Sequence, residues 1–172
     1  PITSLIELEP GTQPAHYHAG AAEQMLVLAG SAGYGLLARV GDLQARQRGG
    51  KTFLALDAAE KPLAPSLVPE CELLGAQLAC LSASGRLLVF PLDELKHQPK
   101  GGRGLTLMGL DAKDALVSVA AFGQALRVLG SGRGGRAKDE LLKGATLGAH
   151  VGRRARKGKV VEGMKAQRLI AA

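Results

Sequence analysis

Two short segments of the chain combine glutamine, cations and paired glycines in a way that suits phosphate binding. The first runs from Gln47 to Lys51, and the second runs from Gln98 to Gly104. The glycines let the backbone turn sharply and present N–H groups to a close ligand. The flanking Lys and Arg side chains can neutralise phosphate charge, and Arg can do so with two parallel hydrogen bonds. A polyanion is therefore the expected ligand of these segments.

Charge is unevenly distributed along the 172 residues, whose formal net charge is +7. Residues 1–45 contain one Lys or Arg and four Asp or Glu, whereas residues 111–172 contain thirteen and five. A positive region of this density favours DNA, RNA or an acidic membrane surface as the partner. Aromatic residues make up only 3% of the chain, which argues against stacking on single strands and favours contact with a duplex backbone. The alternative is a solvated basic face without a partner.

Two glycine-containing motifs resemble nucleotide sites, but their surroundings argue against that function. The segment Gly50-Lys51-Thr52 ends like a phosphate-binding P-loop, although Ala45 stands where that motif needs a glycine. The run Gly130–Gly135 matches G-x-G-x-x-G, yet only 37 residues follow it, too few for a dinucleotide-binding domain. We expect no nucleotide cofactor in this chain.

The histidines and cysteines do not form a recognisable metal or redox site. His16 and His18 would share one face of a strand, but no third ligand is in view. Cys71 and Cys80 are nine residues apart and lack the C-x-x-C spacing. No Ser-His-Asp or paired-carboxylate arrangement is recognisable. We expect neither catalytic nor metal-binding residues, and no apolar run is long enough to predict a membrane span.

The phosphate-binding segments recur because the chain repeats itself with a period near 50 residues. In the first two units, a spacing of 52 residues separates Leu26 from Leu78, Gly33 from Gly85, Leu43 from Leu95 and Gly50 from Gly102. A third unit matches less closely. It starts at Leu126, aligns Asp139–Leu141 with Asp93–Leu95, and reaches a basic stretch at Arg153–Lys159.

Each unit is predicted to form short β-strands. Its apolar runs of about four residues, bounded by Gly, Ser and Pro, are too short for buried helices. Hairpin turns are expected at 31–33, 84–86 and 132–133, and a helical turn is expected only near Lys138–Leu142. About four strands per unit are typical of a propeller-like array, so we predict an all-β fold in one domain, 1–172. Its expected parts are three blades at about 24–70, 76–122 and 124–169, with 1–10 as the tail of a preceding, truncated blade.

The chain resembles the C-terminal domain of the A subunit of bacterial topoisomerase IV and, less closely, that of the gyrase A subunit. The resemblance covers essentially the whole chain, so the chain is expected to be a fragment of a longer protein. It is carried by the segments Ala32–Gly35, Gly41–Leu43, Ala45–Lys51, Gly85–Pro91 and Gln98–Gly104.

The resemblance implies a β-pinwheel that binds and bends duplex DNA around a basic blade rim. The domain would present a DNA segment to a type IIA topoisomerase for strand passage and chromosome decatenation, at the nucleoid in the bacterial cytoplasm. The parent enzyme would use ATP and magnesium and would join the rest of the A subunit to the ATPase B subunit in a heterotetramer. Its catalytic tyrosine lies in another domain, so neither Tyr17 nor Tyr34 is assigned that role and the fragment alone is expected to be non-catalytic.

The two glycine- and cation-containing segments depart from the gyrase pattern, which has one intact Gln-Arg-Arg-Gly-Gly-Lys-Gly sequence, called a box. The first segment, Gln47–Lys51, is one residue short, and the second contains Pro99 and Lys100. Two degenerate boxes fit topoisomerase IV better than a gyrase DNA-wrapping domain, which stays an alternative. A protein-interaction module with an incidental basic face is the other alternative. The expected DNA contacts are Arg46, Arg48, Lys51, Lys100, Arg103, Arg153, Arg154, Arg156, Lys157 and Lys159.

Overall fold

The computed structural model describes residues 3–7, 15–19, 21–45, 50–69 and 75–172. Most of its regular structure is β-strand, as the short apolar runs predict. In chain order the strands are β1 (Thr3–Glu7), β2 (Ala15–Ala19), β3 (Met25–Ala29), β4 (Tyr34–Arg39), β5 (Ser66–Leu67), β6 (Gln77–Ser82), β7 (Arg86–Pro91), β8 (Leu105–Thr106), β9 (Leu116–Phe122), β10 (Ala125–Ser131), β11 (Ala137–Lys143), β12 (Lys159–Val160) and β13 (Lys165–Ala171).

Strands β3 to β13 form three antiparallel sheets, which we call the first, second and third blades. The first blade has the order β5-β3-β4-β8, and the second has the order β12-β7-β6-β9. The third blade has the order β11-β10-β13. Strands β1 and β2 pair with each other as a separate two-stranded sheet. The predicted all-β array of about three blades is confirmed.

The first two blades take one edge strand from the following unit. Strand β8 belongs to the second repeat but pairs with β4, where Tyr34 lies opposite Thr106. Strand β12 belongs to the third repeat and pairs with β7, where Arg86 lies opposite Val160. The equivalent edge of β11 has no partner strand among the described residues. Sheet hydrogen bonds therefore fasten the first blade to the second unit and the second blade to the third unit.

Apolar cores fill the spaces between neighbouring blades. Leu78 and Cys80 of β6 belong to the core shared with the first blade, whereas Ala79 and Leu81 belong to the core shared with the third. Alternate side chains of a strand point to opposite faces, so a sheet covered on both faces needs apolar residues at every position. This requirement explains why the apolar runs of the second repeat are continuous.

A short helical turn follows the second strand of each blade. The 3-10 turns Val40–Leu43 and Leu92–Glu94 occupy this place in the first two blades. In the third blade the place is taken by the helix α1 (Gly144–Gly148). Val40, Leu92 and Gly144, the first residues of these turns, follow one another at equal intervals of sequence.

Two expectations for the third repeat are wrong. Lys138–Leu142 lies within β11 and pairs with β10, so it does not form a helical turn. Asp139–Leu141 therefore is not the equivalent of Asp93–Leu95, whose counterpart is α1. The hairpin of the third blade contains an additional turn at Arg133–Gly135, which displaces β11 along the sequence. The repeat alignment assumes a constant hairpin length, which the third blade does not have.

The ends of the predicted hairpins are in place. Gly33 N–H donates to the Gly30 carbonyl at 3.0 Å, and Gly85 N–H donates to the Ser82 carbonyl at 2.9 Å. Strand β1 lies within 1–10, the segment expected to be the tail of a preceding blade, and pairs with β2 in antiparallel register. No helix of the described residues is long and apolar enough to cross a membrane.

Candidate nucleic-acid interface

Three basic loops, residues 46–51, 98–104 and 153–159, are the candidate interface. The second loop packs against the segment that leaves the first loop. Gly102 N–H donates to the Phe53 carbonyl at 2.8 Å, and Ala55 N–H donates to the Gly102 carbonyl at 2.9 Å. The second loop therefore lies beside the segment 53–55, which follows the described end of the first loop, although most of a repeat separates them in sequence.

The third loop repeats this arrangement one unit later. Ala155 N–H donates to the Leu107 carbonyl at 2.9 Å, and Gly109 N–H donates to the Arg156 carbonyl at 3.0 Å. Leu107 and Gly109 follow β8, the strand that begins where the second loop ends. The segment that leaves the first loop, the second loop and the third loop thus follow one another in series, and we call this part of the surface the basic edge.

Two loop glycines are required by close contact with the preceding blade. Gly104 has a φ of +81°, and a Cβ there would lie 2.0 Å from the carbonyl oxygen of Gly35. Gly158, at the same place in the third loop, has a φ of +69° and would place a Cβ 2.5 Å from the carbonyl oxygen of Leu87. Only glycine fits such positions. These glycines let each loop return to its neighbouring sheet directly after its cations.

The second loop contains one exposed cation and one paired cation. Lys100 is exposed, and in the described part of the chain its ammonium has no ion pair or hydrogen bond. Arg103 Nη2 lies 2.9 Å from Asp57 Oδ2, and Arg103 Nη1 lies 3.2 Å from Glu60 Oε2. The Arg103 guanidinium also lies 4.3 Å from the ring centre of Tyr34. Lys100 can meet an external anion directly, whereas protein groups already hold Arg103.

The third loop also contains both paired and exposed cations. Lys157 Nζ pairs with Asp111 Oδ1. Arg154 is partly buried. Its Nη1 donates to the Thr106 carbonyl at 2.6 Å, and its backbone N–H donates to Glu94 Oε2 at 3.0 Å. Three loop cations are exposed and have no side-chain ion pair or hydrogen bond to any described residue: Arg153, Arg156 and Lys159.

Only the end of the first loop can be placed. Arg46 and Arg48 lie outside the described residues. Lys51 Nζ donates to the Asp42 carbonyl and lies 5.3 Å from the ring centre of Phe53. This ammonium is therefore close to the turn that follows β4.

Carboxylates beside the loops are a part of the site that the sequence prediction missed. Asp42 Oδ2 lies 2.6 Å from His97 Nε2 and accepts the Arg39 N–H at 2.9 Å. Partial burial acts to raise the pKa of Asp42, but these hydrogen bonds outweigh it and lower that pKa. The ionised carboxylate links the first blade to the start of the second loop. A search for acids at the repeat spacing would have found Asp42 and Glu94, which are 52 residues apart.

Neither the cysteines nor the acids suggest a second kind of chemistry. Burial raises the pKa of the Cys80 thiol, which is fully enclosed in the core. Cys71 lies outside the described residues, as do the side chains of His16 and His18. Within the described ranges, no three His, Cys, Asp or Glu residues are grouped so that they could hold a metal ion.

Comparison with known proteins identifies relatives over most of the chain. The chain is 33% identical over 164 residues to the DNA topoisomerase 4 A subunit of Neisseria gonorrhoeae, and the match covers 91% of this chain and 21% of that protein. It is 31% identical over 141 residues to the protein of the same name from Pseudomonas aeruginosa, covering 79% and 18%. The chain thus spans about a fifth of the length of these curated relatives.

Solved structures show the same fold. "Structure of the E. coli ParC C-terminal domain" matches with a TM-score of 0.78 and 25% identity, over 94% of this chain and 66% of that one. "Crystal structure of the C-terminal domain of DNA topoisomerase IV" matches with a TM-score of 0.73 and 13% identity, over 95% and 51%, which concerns the fold alone. The model of the family described as "DNA gyrase C-terminal domain, beta-propeller" matches residues 24–61 and 76–122. The chain therefore belongs to this family of β-propeller, or β-pinwheel, C-terminal domains, together with the topoisomerase IV A subunits to which its sequence is similar.

Proposed function

We propose that this chain binds the phosphate backbone of duplex DNA along its basic edge and bends it. The observation that supports this function is the series of backbone hydrogen bonds that joins the second and third basic loops, each to the segment after the preceding loop. Cations on neighbouring loops can then contact successive parts of one duplex. Backbone contacts of this kind give affinity without reading base sequence.

The direct contacts are assigned to cations that are exposed and unpaired within the described ranges. Arg46 and Arg48 of the first loop complete the proposed set. Lys51 and Arg154 have protein partners and are assigned a supporting role at the edge. The proposed contacts among the described residues are Lys100, Arg153, Arg156 and Lys159.

The placement of the proposed contacts on successive blades supports bending. A bent duplex can contact the loops of one blade and then those of the next. A straight duplex can contact all of them only if the loops lie on one line. Bending 20–30 bp by 40–90° costs on the order of 1–6 kcal/mol. Several phosphate contacts are needed to offset that cost.

The topoisomerase IV relatives suggest the setting of this activity. In that setting the bent segment is presented for strand passage and decatenation by a type IIA topoisomerase at the nucleoid. The catalytic tyrosine, the magnesium site and the ATPase would lie in the remainder of the A subunit and in an ATPase B subunit. The residues described above would only hold and orient DNA.

A salt titration of duplex binding tests the function. With about six phosphates contacted, log K should fall against log salt with a slope of about −5. The double variant Lys100→Ala/Arg156→Ala should reduce that slope by about 2 and weaken binding to all sequences alike. Fluorescence anisotropy of a labelled duplex of about 25 bp measures both quantities, and end-to-end energy transfer measures the bend.

Lys165 and Arg168 provide the matched control. Both are exposed cations of β13, which lies at the opposite edge of the third blade from β11. Lys165→Ala/Arg168→Ala removes the same charge and should leave the salt slope within about 0.3 of the original value. Equal loss of slope in the two double variants would indicate a diffuse basic surface. Affinity that does not depend on salt would favour a protein-interaction module instead.

A further inference from the structure

Arg103 and Lys157 occupy the same place in successive basic loops, and each faces a carboxylate of the preceding unit. The sequence interval between these two cations equals the interval between their partners, Asp57 and Asp111. Arg103 Nη2 lies 2.9 Å from Asp57 Oδ2, and Lys157 Nζ contacts Asp111 Oδ1. We call these two contacts the junction pairs. They recur at both described contacts between a basic loop and the segment before it, as a structural device of the repeat would.

Glu60, the second carboxylate that contacts Arg103, is held in place by hydrogen bonds from backbone N–H groups. The Glu60 side chain is only 3% exposed, and its Oε1 accepts the Ala32 N–H at 3.3 Å while its Oε2 accepts the Asp57 N–H at 3.1 Å. Arg103 Nη1 lies 3.2 Å from that Oε2, and its guanidinium lies over the Tyr34 ring. Moving Arg103 to an external phosphate would leave a buried carboxylate unpaired, which is costly.

The neighbouring cations of the same loops have the opposite surroundings. Lys100 and Arg156 are exposed, and no side chain in the described ranges pairs with them. Each loop therefore holds one cation toward the preceding unit and at least one toward solvent.

We propose that Arg103 and Lys157 are positioning residues that tie each basic loop to the preceding unit and so set the angle between successive phosphate-contacting loops. This inference rests on the proposed function, because loop alignment matters to a ligand only if DNA follows the basic edge. The junction pairs determine how strongly DNA is bent, while Lys100 and Arg156 determine how strongly it is held.

Arg103→Ala and Lys100→Ala form a matched comparison, since they remove one charge each from the same loop. Lys100→Ala should reduce the salt slope by about 0.9 and leave the bend of the bound duplex unchanged. Arg103→Ala should leave the slope within about 0.2 of the original value and reduce the energy-transfer signal of the bent duplex. Lys157→Ala and Arg156→Ala repeat the comparison at a half-exposed pair, where loss of folding is not a concern.

A charge reversal separates positioning from simple loss of charge. Lys157→Asp should reduce the bend, and Asp111→Lys/Lys157→Asp should recover at least half of it, because the pair is restored with the net charge unchanged. If the reversed pair does not recover the bend, or if Arg103→Ala and Lys157→Ala reduce the salt slope as much as their neighbours do, the two cations are phosphate ligands and the inference is wrong.

A measurement without DNA keeps this inference separate from the proposed function. Spin labels at the exposed positions Glu23 and Asp93, with Cys71 and Cys80 replaced by Ala, report the distance between the first and second blades. Arg103→Ala should broaden that distance distribution, and Lys100→Ala should not. An original chain without salt-dependent duplex binding contradicts the proposed function alone, whereas identical distributions in the two variants contradict the role of the junction pair.

Discussion

Gly104 approaches Gly35 so closely that a Cβ on Gly104 would lie 2.0 Å from the Gly35 carbonyl oxygen. The two residues belong to different repeats, since Gly35 is in β4 and Gly104 ends the second basic loop. Gly35 pairs with Leu105, the residue directly after Gly104. The close approach is therefore part of the borrowed-strand pairing that joins the first blade to the second unit.

Gly104→Ala should destabilise the chain by more than about 2 kcal/mol, because the clash is with backbone and adds to the cost of a positive φ. Gly134→Ala is a matched control, since Gly134 has a φ of +71° and a Cβ there would meet nothing within 4 Å. The control should lose only about 1 kcal/mol. Urea unfolding of both variants measures the difference, and equal losses would show that close contact does not matter at Gly104.

Asp114→Asn should destabilise the second blade by about 1–2 kcal/mol at neutral pH. The Asp114 carboxylate accepts the Ser84 N–H at 3.0 Å and the Ser84 hydroxyl at 2.7 Å, which fixes the β6–β7 turn. Partial burial acts to raise the pKa of Asp114, but hydrogen bonds from Ser84 and Ser82 outweigh it and lower that pKa.

The lowered pKa of Asp114 predicts how the stability difference between Asp114→Asn and the original chain changes with pH. A carboxyl whose pKa is lower in the folded state stabilises it above the unfolded pKa of about 4, and the contribution disappears as pH falls through the folded pKa. The difference in unfolding free energy between Asp114→Asn and the original chain should therefore shrink as pH falls below about 4. A constant difference between pH 7 and pH 3 would contradict the assignment.

His150 should make the third blade less stable in mild acid. Burial, with the nearby Lys159 charge, lowers the pKa of His150 below its ordinary value. The unfolded chain then takes up a proton near pH 6.5 that the folded chain resists, so stability falls as pH drops from about 7.5 to 5.5. His150→Gln should show a flatter pH dependence in thermal unfolding, and an unchanged dependence would assign the effect to other histidines.

Arg154→Ala should destabilise the fold and leave the salt slope nearly unchanged. Arg154 Nη1 donates to the Thr106 carbonyl at 2.6 Å, so truncation removes a charged hydrogen bond to β8. The expected loss is about 1.5–3 kcal/mol. Arg153→Ala is the control from the adjacent position, with little expected change in stability and a decrease of about 0.9 in the salt slope. The reverse pattern would exchange the roles of the two arginines.

The repeat spacing is enough to predict the first two blades, because Gly33 and Gly85 close hairpins of the same length. It is not enough for the third, because Arg133–Gly135 lengthens the hairpin and moves β11 along the sequence. The local pattern of apolar residues can show that strands exist. The length of an insertion between two strands is known only from which residues of the strands pair. Borrowing of β8 and β12 by preceding blades is likewise not visible in the repeat boundaries.

Basic loops are predictable as segments, whereas the partners of individual cations are not. Glycine and cation spacing identifies the loops that contain Lys100 and Arg103. Whether each cation faces solvent or protein depends on contacts such as Lys157 with Asp111, which are 46 residues apart in sequence. Packing between blades determines such contacts. Net charge alone does not reveal the regular spacing of acids such as Asp57 and Asp111.

Borrowed strands also constrain how the chain can fold while it is being synthesised. The first blade has β3, β4 and β5 once residue 67 has emerged from the ribosome, but its remaining strand ends at Thr106. The second blade similarly lacks β12 until Val160 has emerged. A nascent chain therefore exposes the edge of β4, and later that of β7, for the time needed to translate most of another repeat. Each of these two blades is completed one unit late, and during this interval its open edge can pair with another nascent chain.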